Sequence, residues 1–193
     1  MTSASTLFAA SRFDRVRLPP EQAEPLPHWA YTSTAWYERE VERIFRKAWN
    51  YLGHVSQVAK PGDYFTADVA GVPLIVLKGQ DGVVRAFFNS CRHRGSRLLW
   101  DDGNCKLIRC PYHAWAYDLT GALVATPLVE EEMQELKRGL PLHAVRLDIV
   151  DGFIFVALDK TLPPAAEAFG SLTKNGAATI RPIWFAPGAR VGM

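Results

Sequence analysis

The chain has 193 residues, 48% hydrophobic and 22% charged, with a formal net charge of +2. That length suits one large domain, or one domain and part of another, and buries roughly 70% of its unfolded surface without disulfide staples; the near-balanced charge makes no case for nucleic acid or an anionic membrane surface. The three cysteines are too few, and odd in number, for a disulfide framework, and such usage fits a reducing cytoplasm. No stretch approaches the ~20 apolar residues of a membrane span, and the most apolar run, residues 152–158, is of strand length. Residues 6–10 are too short for the apolar core of a signal peptide, and Arg12 follows them.

Residues 1–31 read as a proline-rich arm. Pro19, Pro20, Pro25 and Pro27 oppose regular helix and favour extended backbone, while Trp29 and Tyr31 are the aromatic side chains expected to pin the arm down. A helix is expected over 34–48, with Thr34 as its N-cap. Tyr37, Val41, Ile44, Phe45 and Ala48 form one apolar stripe, and Glu42 and Arg46 stand at a supportive spacing on the solvated face. Strands follow at 49–55, 64–69, 72–78 and 83–89, with turn residues at 61–63 and 79–82. Short strands so spaced, rich in β-branched and aromatic residues, indicate a mainly β fold, an antiparallel sandwich or barrel.

Strand 83–89 delivers the chain to Cys91, where the chemistry concentrates. Cys91 and His93 are one residue apart, Cys110 and His113 two apart, and sixteen residues separate the pairs. Two thiolates and two imidazoles at this spacing converge only where two loop tips meet. Gly95 and Ser96 after the first pair, and Pro111 within the second, supply loop chemistry; residues 106–109 form a short strand into the second loop. Strands at 115–118 and 123–126 flank a hairpin turn at 119–121. Residues 127–139, acidic then basic, read as an exposed loop or short helix. A last hairpin, 143–150 with 153–158, turns at Asp151-Gly152. Pro163, Pro164, Gly170, Gly176 and Pro182 mark 161–193 as linker, with a short strand possible at 180–185 before Pro187-Gly188 cuts it. His28, His54 and His143 have no ligand partner at motif spacing and read as packed or surface histidines; Cys105 reads as a small half-buried residue.

Two metal readings compete for the four ligands. Two cysteines and two histidines make a common structural zinc set, but zinc fingers usually pair Cys with Cys and His with His. Here each loop donates one of each. That suits a Rieske [2Fe-2S] cluster, in which two histidines replace two cysteines on one iron: Cys91 and Cys110 on one iron, His93 and His113 on the other.

The motif C-x-H-x16-C-x2-H followed by A-W-x-Y-D resembles the Rieske domain of ring-hydroxylating and quaternary-ammonium oxygenase large subunits. Their second loop is typically C-P-Y-H-(G/A)-W-x-Y, and residues 110–117 read C-P-Y-H-A-W-A-Y. Tyr31, Thr32, Trp36, Glu40, Ile44, Phe45 and Trp49 likewise resemble the first helix of those subunits. The resemblance covers roughly residues 30–160 and implies a Rieske domain at 32–160 that includes helix 34–48. It leaves 1–31 as an arm and 161–193 as a linker or the start of a catalytic domain. High-potential respiratory Rieske proteins carry a disulfide between their loops and a serine hydroxyl donor. The matching positions here are Ser96 and Tyr112 for the cysteines and Trp115 for the serine, while the Tyr117 hydroxyl is retained. Fewer donors imply a potential toward the low end of the Rieske range. Arg94 and Gly95 complete the shell around the ligands, and Arg92, Arg97 and Arg109 lie close in sequence.

In these oxygenases a further domain supplies a 2-His-1-carboxylate iron, typically on a (D/E)-x2-H-x4-H motif, which does not occur here. Mononuclear Fe(II) is therefore expected only in a full-length enzyme. The resemblance implies a ferredoxin or flavin reductase as electron donor and, as acceptor, the catalytic domain of the same or a neighbouring subunit, in the cytoplasm. A stand-alone Rieske electron carrier is the second reading, and a structural zinc module the third.

Overall fold

The computed structural model describes residues 8–127 and 139–169. The interior of the acidic-then-basic segment and the strand read at 180–185 lie outside the described residues. The chain divides into two compact units, Met1–Lys47 and Ala48–Met193.

In the first unit the arm forms three 3-10 turns, Ala10–Phe13, Arg15–Arg17 and His28–Tyr31, where extended backbone is expected. The prolines explain the difference. Pro27 immediately precedes the third turn, and the Pro19 carbonyl accepts from the N–H groups of Gln22 and Ala23; a fixed proline φ suits the start of a turn as well as extended chain. Helix α1 (Thr34–Arg43) is capped by Ser33 rather than Thr34, the Ser33 hydroxyl accepting from the Trp36 N–H at 3.3 Å. It also ends earlier than the apolar stripe suggests. The chain tightens into a 3-10 turn at Phe45–Lys47, closed by Lys47 N–H to Ile44 O, a common way to satisfy the last carbonyls of a helix. Trp36 collects the arm's aromatic rings, with Phe8, Phe13 and Trp29 centroids 5.7, 5.4 and 5.5 Å away. Trp29 thus pins the arm to α1, whereas Tyr31 is 69% exposed.

The second unit is antiparallel β. Among the described residues its strands are β1 (Trp49–His54), β2 (Asp63–Val69), β3 (Val72–Lys78), β4 (Val84–Phe88), β5 (Asp102–Asn104), β6 (Ile108–Arg109), β7 (Ala116–Tyr117), β8 (Leu123–Ala125), β9 (Ala144–Val150) and β10 (Phe153–Ala157). Seven form one curled sheet in the order β1-β10-β9-β4-β3-β2-β5; the other three form a small sheet, β6-β7-β8. Strand β3 shows why the sheet is covered on both faces. Leu74 and Val76 belong to one core with Val58, Phe65, Ile154 and Val156. Ile75 and Leu77, pointing the other way by strand alternation, belong to a second core with Phe87, Leu98, Ile108 and Tyr117. All four β3 residues are fully buried. The second core lies beneath the small sheet and contains both Cys91 and Cys110, so the packing that stabilises the domain also seats the two thiols.

Two departures concern the edges. Strand β5, Asp-Gly-Asn, carries no apolar signal and is exposed throughout; it is a strand because β2 pairs with it, Phe65 opposite Asp102 and Asp63 opposite Asn104. Residues 161–169, read as linker, include the short helix α2 (Ala165–Ala168), whose Ala165 N–H donates to Asp148 Oδ2 at 2.7 Å and whose neighbour Phe169 packs on Phe155. The β7–β8 turn has close tolerances. Gly121 sits at φ +90°, and an added Cβ would stand 2.6 Å from the Phe87 ring. Gly121→Ala is expected to destabilise by about 3 kcal/mol, combining the left-handed penalty with overpacking against a buried ring. A fall in Tm on the order of 10 °C in thermal denaturation checks it.

Candidate metal centre

Two loops, built alike, present the four candidate ligands. In the first, Cys91 N–H donates to Ser96 O at 2.8 Å and Gly95 N–H to Cys91 O at 2.8 Å. In the second, Cys110 N–H donates to Trp115 O at 2.7 Å and Ala114 N–H to Cys110 O at 3.1 Å. The fifth residue of each turn is left-handed, Gly95 at φ +71° and Ala114 at φ +56°. One turn is therefore used twice, with a cysteine at its first position. The histidine is third in one loop and fourth in the other, which is why the motif reads C-x-H and then C-x2-H.

Ala114 holds its left-handed conformation without glycine's freedom. An L-residue there costs roughly 1–2 kcal/mol, while glycine would give back about 0.4–1 through its looser unfolded chain. Ala114→Gly is expected to raise stability by about 0.5–1 kcal/mol in denaturant unfolding of the metal-free chain.

The turns bring their ligand side chains together in two kinds of environment. Cys91 and Cys110 are each 3% exposed, inside the second core. The His93 and His113 rings meet near the surface, centroids 4.7 Å apart at 65°. The buried Nδ1 of His113 has no hydrogen-bond partner. Unpaired buried nitrogens are costly, and an imidazole nitrogen of this kind has the chemistry of a metal ligand. Partial desolvation, with help from His113 and Arg94, holds the His93 imidazole below its usual pKa, which favours the neutral form that binds metal. Among the described residues no three His, Cys, Asp or Glu side chains gather around one point as a single-ion set would.

Trp115 and Tyr117, at the end of the second loop, brace the first. The Tyr117 hydroxyl accepts from the Arg92 N–H at 3.0 Å and lies 3.4 Å from Cys91 Sγ. Burial, then the Cys91 contact, pushes the Tyr117 phenol above its ordinary pKa, so it stays a neutral donor. Trp115, 4% exposed, stacks on His93 at 4.7 Å and 11°. Tyr112 covers His113 with centroids 3.8 Å apart but remains 60% exposed. The Ser96 hydroxyl turns to the Arg97 carbonyl at 3.4 Å. Arg94, Arg97 and Arg109 are exposed around the loops.

The remaining histidines stand elsewhere. His28 is exposed in the arm. His54 caps the 3-10 turn Val55–Val58, its Nδ1 accepting from Ser56 N–H at 3.2 Å. His143 is exposed, as expected of a surface histidine, and its Nε2 contacts the guanidinium of Arg92, beside Cys91. Cys105 is half-buried, and burial raises its thiol pKa. The sequence reading passed over Asn89, a fully buried polar side chain two residues before Cys91. The signal available was an amide at the end of an apolar strand.

The Rieske [2Fe-2S] domain family matches residues 48–146. The chain is 39% identical to the alpha subunit of biphenyl 2,3-dioxygenase from Rhodococcus jostii, over 78% of this chain and 33% of the relative. It is 38% identical to the oxygenase subunit of carnitine monooxygenase from Escherichia coli, over 83% of this chain and 42% of the relative. Among solved structures, a quaternary ammonium Rieske monooxygenase in complex with L-carnitine superposes with a TM-score of 0.71 at 32% identity, covering 79% of this chain and 44% of that one. Naphthalene 1,2-dioxygenase from Rhodococcus bound to indole gives 0.68 at 33%, covering 72% and 32%. The chain thus spans between a third and somewhat over two-fifths of the length of these relatives. Among the described residues no helix is long and apolar enough to cross a membrane.

Proposed function

The chain belongs to the Rieske [2Fe-2S] domain family, and from that membership we propose that Cys91 and Cys110 hold one iron of a [2Fe-2S] cluster and His93 and His113 the other. On this reading the chain is the electron-transfer part of an aromatic-ring-hydroxylating or quaternary-ammonium-type oxygenase. The observation that carries the proposal is the division of the four side chains between two like turns, thiols in the core and imidazoles at the surface. A tetrahedral zinc ion would need all four around one point; a two-iron cluster needs two pairs. The unpartnered Nδ1 of His113 supports the same set.

Such a cluster takes up and gives back one electron at a time. The protein's own part is to exclude water from the thiol side, which the second core does, and to present the imidazoles where a partner can approach. Tyr117 aims its hydroxyl at Cys91 Sγ, and Trp115 fixes the plane of His93. A ferredoxin or flavin reductase is the proposed donor, drawn by the exposed Arg94, Arg97 and Arg109. The proposed acceptor is the mononuclear iron of a catalytic domain in the same or a neighbouring subunit, where oxidation of an aromatic or quaternary ammonium substrate would take place. Three cysteines, none in a disulfide, suit a cytoplasmic setting.

A reductive titration of the iron-loaded chain tests this reading. One electron per two irons is expected, with a midpoint in the lower part of the roughly −150 to +300 mV Rieske interval. A midpoint above roughly +150 mV would overturn the oxygenase-type assignment.

A further inference from the structure

The two cluster loops share a turn but are closed at their bases by different means. The second is closed by a backbone ladder, Ile108 opposite Tyr117 and Arg109 opposite Ala116. The first leaves β4 at Phe88 and returns along residues 96–100, which form no strand. Its base is held by a side chain instead. Asn89 Oδ1 accepts from Leu98 N–H at 2.9 Å and Leu99 N–H at 3.0 Å, and its Nδ2 donates to Leu99 O at 2.7 Å.

Asn89 is itself anchored, its backbone N–H donating to Pro73 O of β3 at 2.8 Å. Asn89 is 1% exposed; its bond from Leu98 N–H is buried and its two bonds to Leu99 are partly so. Buried amides are kept where their hydrogen bonds are satisfied and specify one geometry. Here the geometry specified is a rung between the two limbs of the loop, made by an amide side chain that copies the donor and acceptor of a peptide. The return limb carries Leu98, 2% exposed, into the core that also contains Cys91 and Cys110. Cys91 and His93 therefore lie on a loop whose outgoing limb is fixed to β3 and whose return limb is fixed by Asn89.

We infer that Asn89 is a positioning residue of the metal centre: its carboxamide clasps the first loop shut and sets Cys91 and His93 against the ladder-closed second loop. The inference rests on the ligand set proposed above. Asn89 touches no ligand atom and acts through Leu98 and Leu99.

Iron- and sulfide-loaded wild-type chain is compared with Asn89→Ala, Asn89→Asp and Val156→Ala, the last lying in the other core. Three quantities are read: Tm of the metal-free chain, the rate of cluster bleaching by an iron chelator, and the EPR line shape after reduction. Asn89→Ala is expected to lose the cluster at least roughly tenfold faster, as when a supporting hydrogen-bond partner of a metal site is removed, with an altered line shape. Val156→Ala, which lowers Tm without touching the loop, keeps the wild-type bleaching rate and signal. Asn89→Asp keeps the acceptor for Leu98 and Leu99 but loses the donor, and falls between. Asn89→Ala bleaching no faster than Val156→Ala would overturn the clasp and leave the ligand assignment standing. A wild-type chain without a Rieske signal would overturn the ligand assignment and the clasp with it.

Discussion

Cys110→Ser is expected to cost the chain its visible colour and its reduced-state EPR signal while leaving the fold in place. The thiol is 3% exposed, and a hydroxyl fits the same space. The loss is in ligation, since a serine hydroxyl stays protonated where a cysteine becomes the thiolate that binds iron. Removing a mere hydrogen-bond partner of a metal ligand typically costs 10–100-fold in affinity, so removing the ligand should reduce bound iron by roughly 100-fold or more. The metal-free variant should lose only about 1–3 kcal/mol, the cost of a buried hydroxyl without a strong partner. Cys105→Ser is the matched control. Its thiol is half-buried and outside both turns, so iron content and spectrum should match the wild type. Iron retained in Cys110→Ser, or lost in Cys105→Ser, would contradict the ligand assignment.

Tyr117→Phe is expected to lower the midpoint potential. The hydroxyl, 3.4 Å from Cys91 Sγ, remains a neutral donor in its buried setting. Donation to a thiolate sulfur favours the more negative, reduced state over the oxidised one. About 1 kcal/mol of difference, the usual net worth of one hydrogen bond, corresponds to roughly 40 mV for a single electron, so the midpoint should fall by about that amount. The variant also leaves the Arg92 N–H without its 3.0 Å acceptor, which should cost about 1–3 kcal/mol of stability. Potentiometric titration and denaturant unfolding read the two effects separately. An unchanged or raised midpoint would mean that the hydroxyl does not engage the sulfur.

The expected ligand set was legible because it combines chemistry and spacing within a stretch of 23 residues, 91–113. Hairpins β3–β4 and β9–β10 were legible for a related reason. Their turns carry Gly and Asp between the two strands, so the pairing is local. What could not be read depends on partners distant in sequence. Strand β9 joins the sheet beside β4 through Val145 opposite Ala86, and β5 becomes a strand only because β2 lies alongside. The helix was overextended because its apolar stripe runs past Arg43, whereas the backbone changes to a 3-10 turn there. At the metal centre, the stack of Trp115 on His93 and the contact of Arg92 with His143 join residues 22 and 51 positions apart. Asn89 left only a faint signal, an amide at the end of an apolar strand: asparagine ordinarily marks a turn, and its burial and three bonds to the return limb show it to be a structural amide.

The assignment of Cys91, His93, Cys110 and His113 to a two-iron centre is tested most directly by an EPR spectrum of the dithionite-reduced chain, with iron, sulfide and zinc quantified in the same sample. A rhombic signal of the kind a histidine-ligated two-iron cluster gives is expected, with two irons and two sulfides per chain and no zinc. A colourless, EPR-silent protein holding one zinc ion would contradict the redox reading and make the same four side chains a structural metal site.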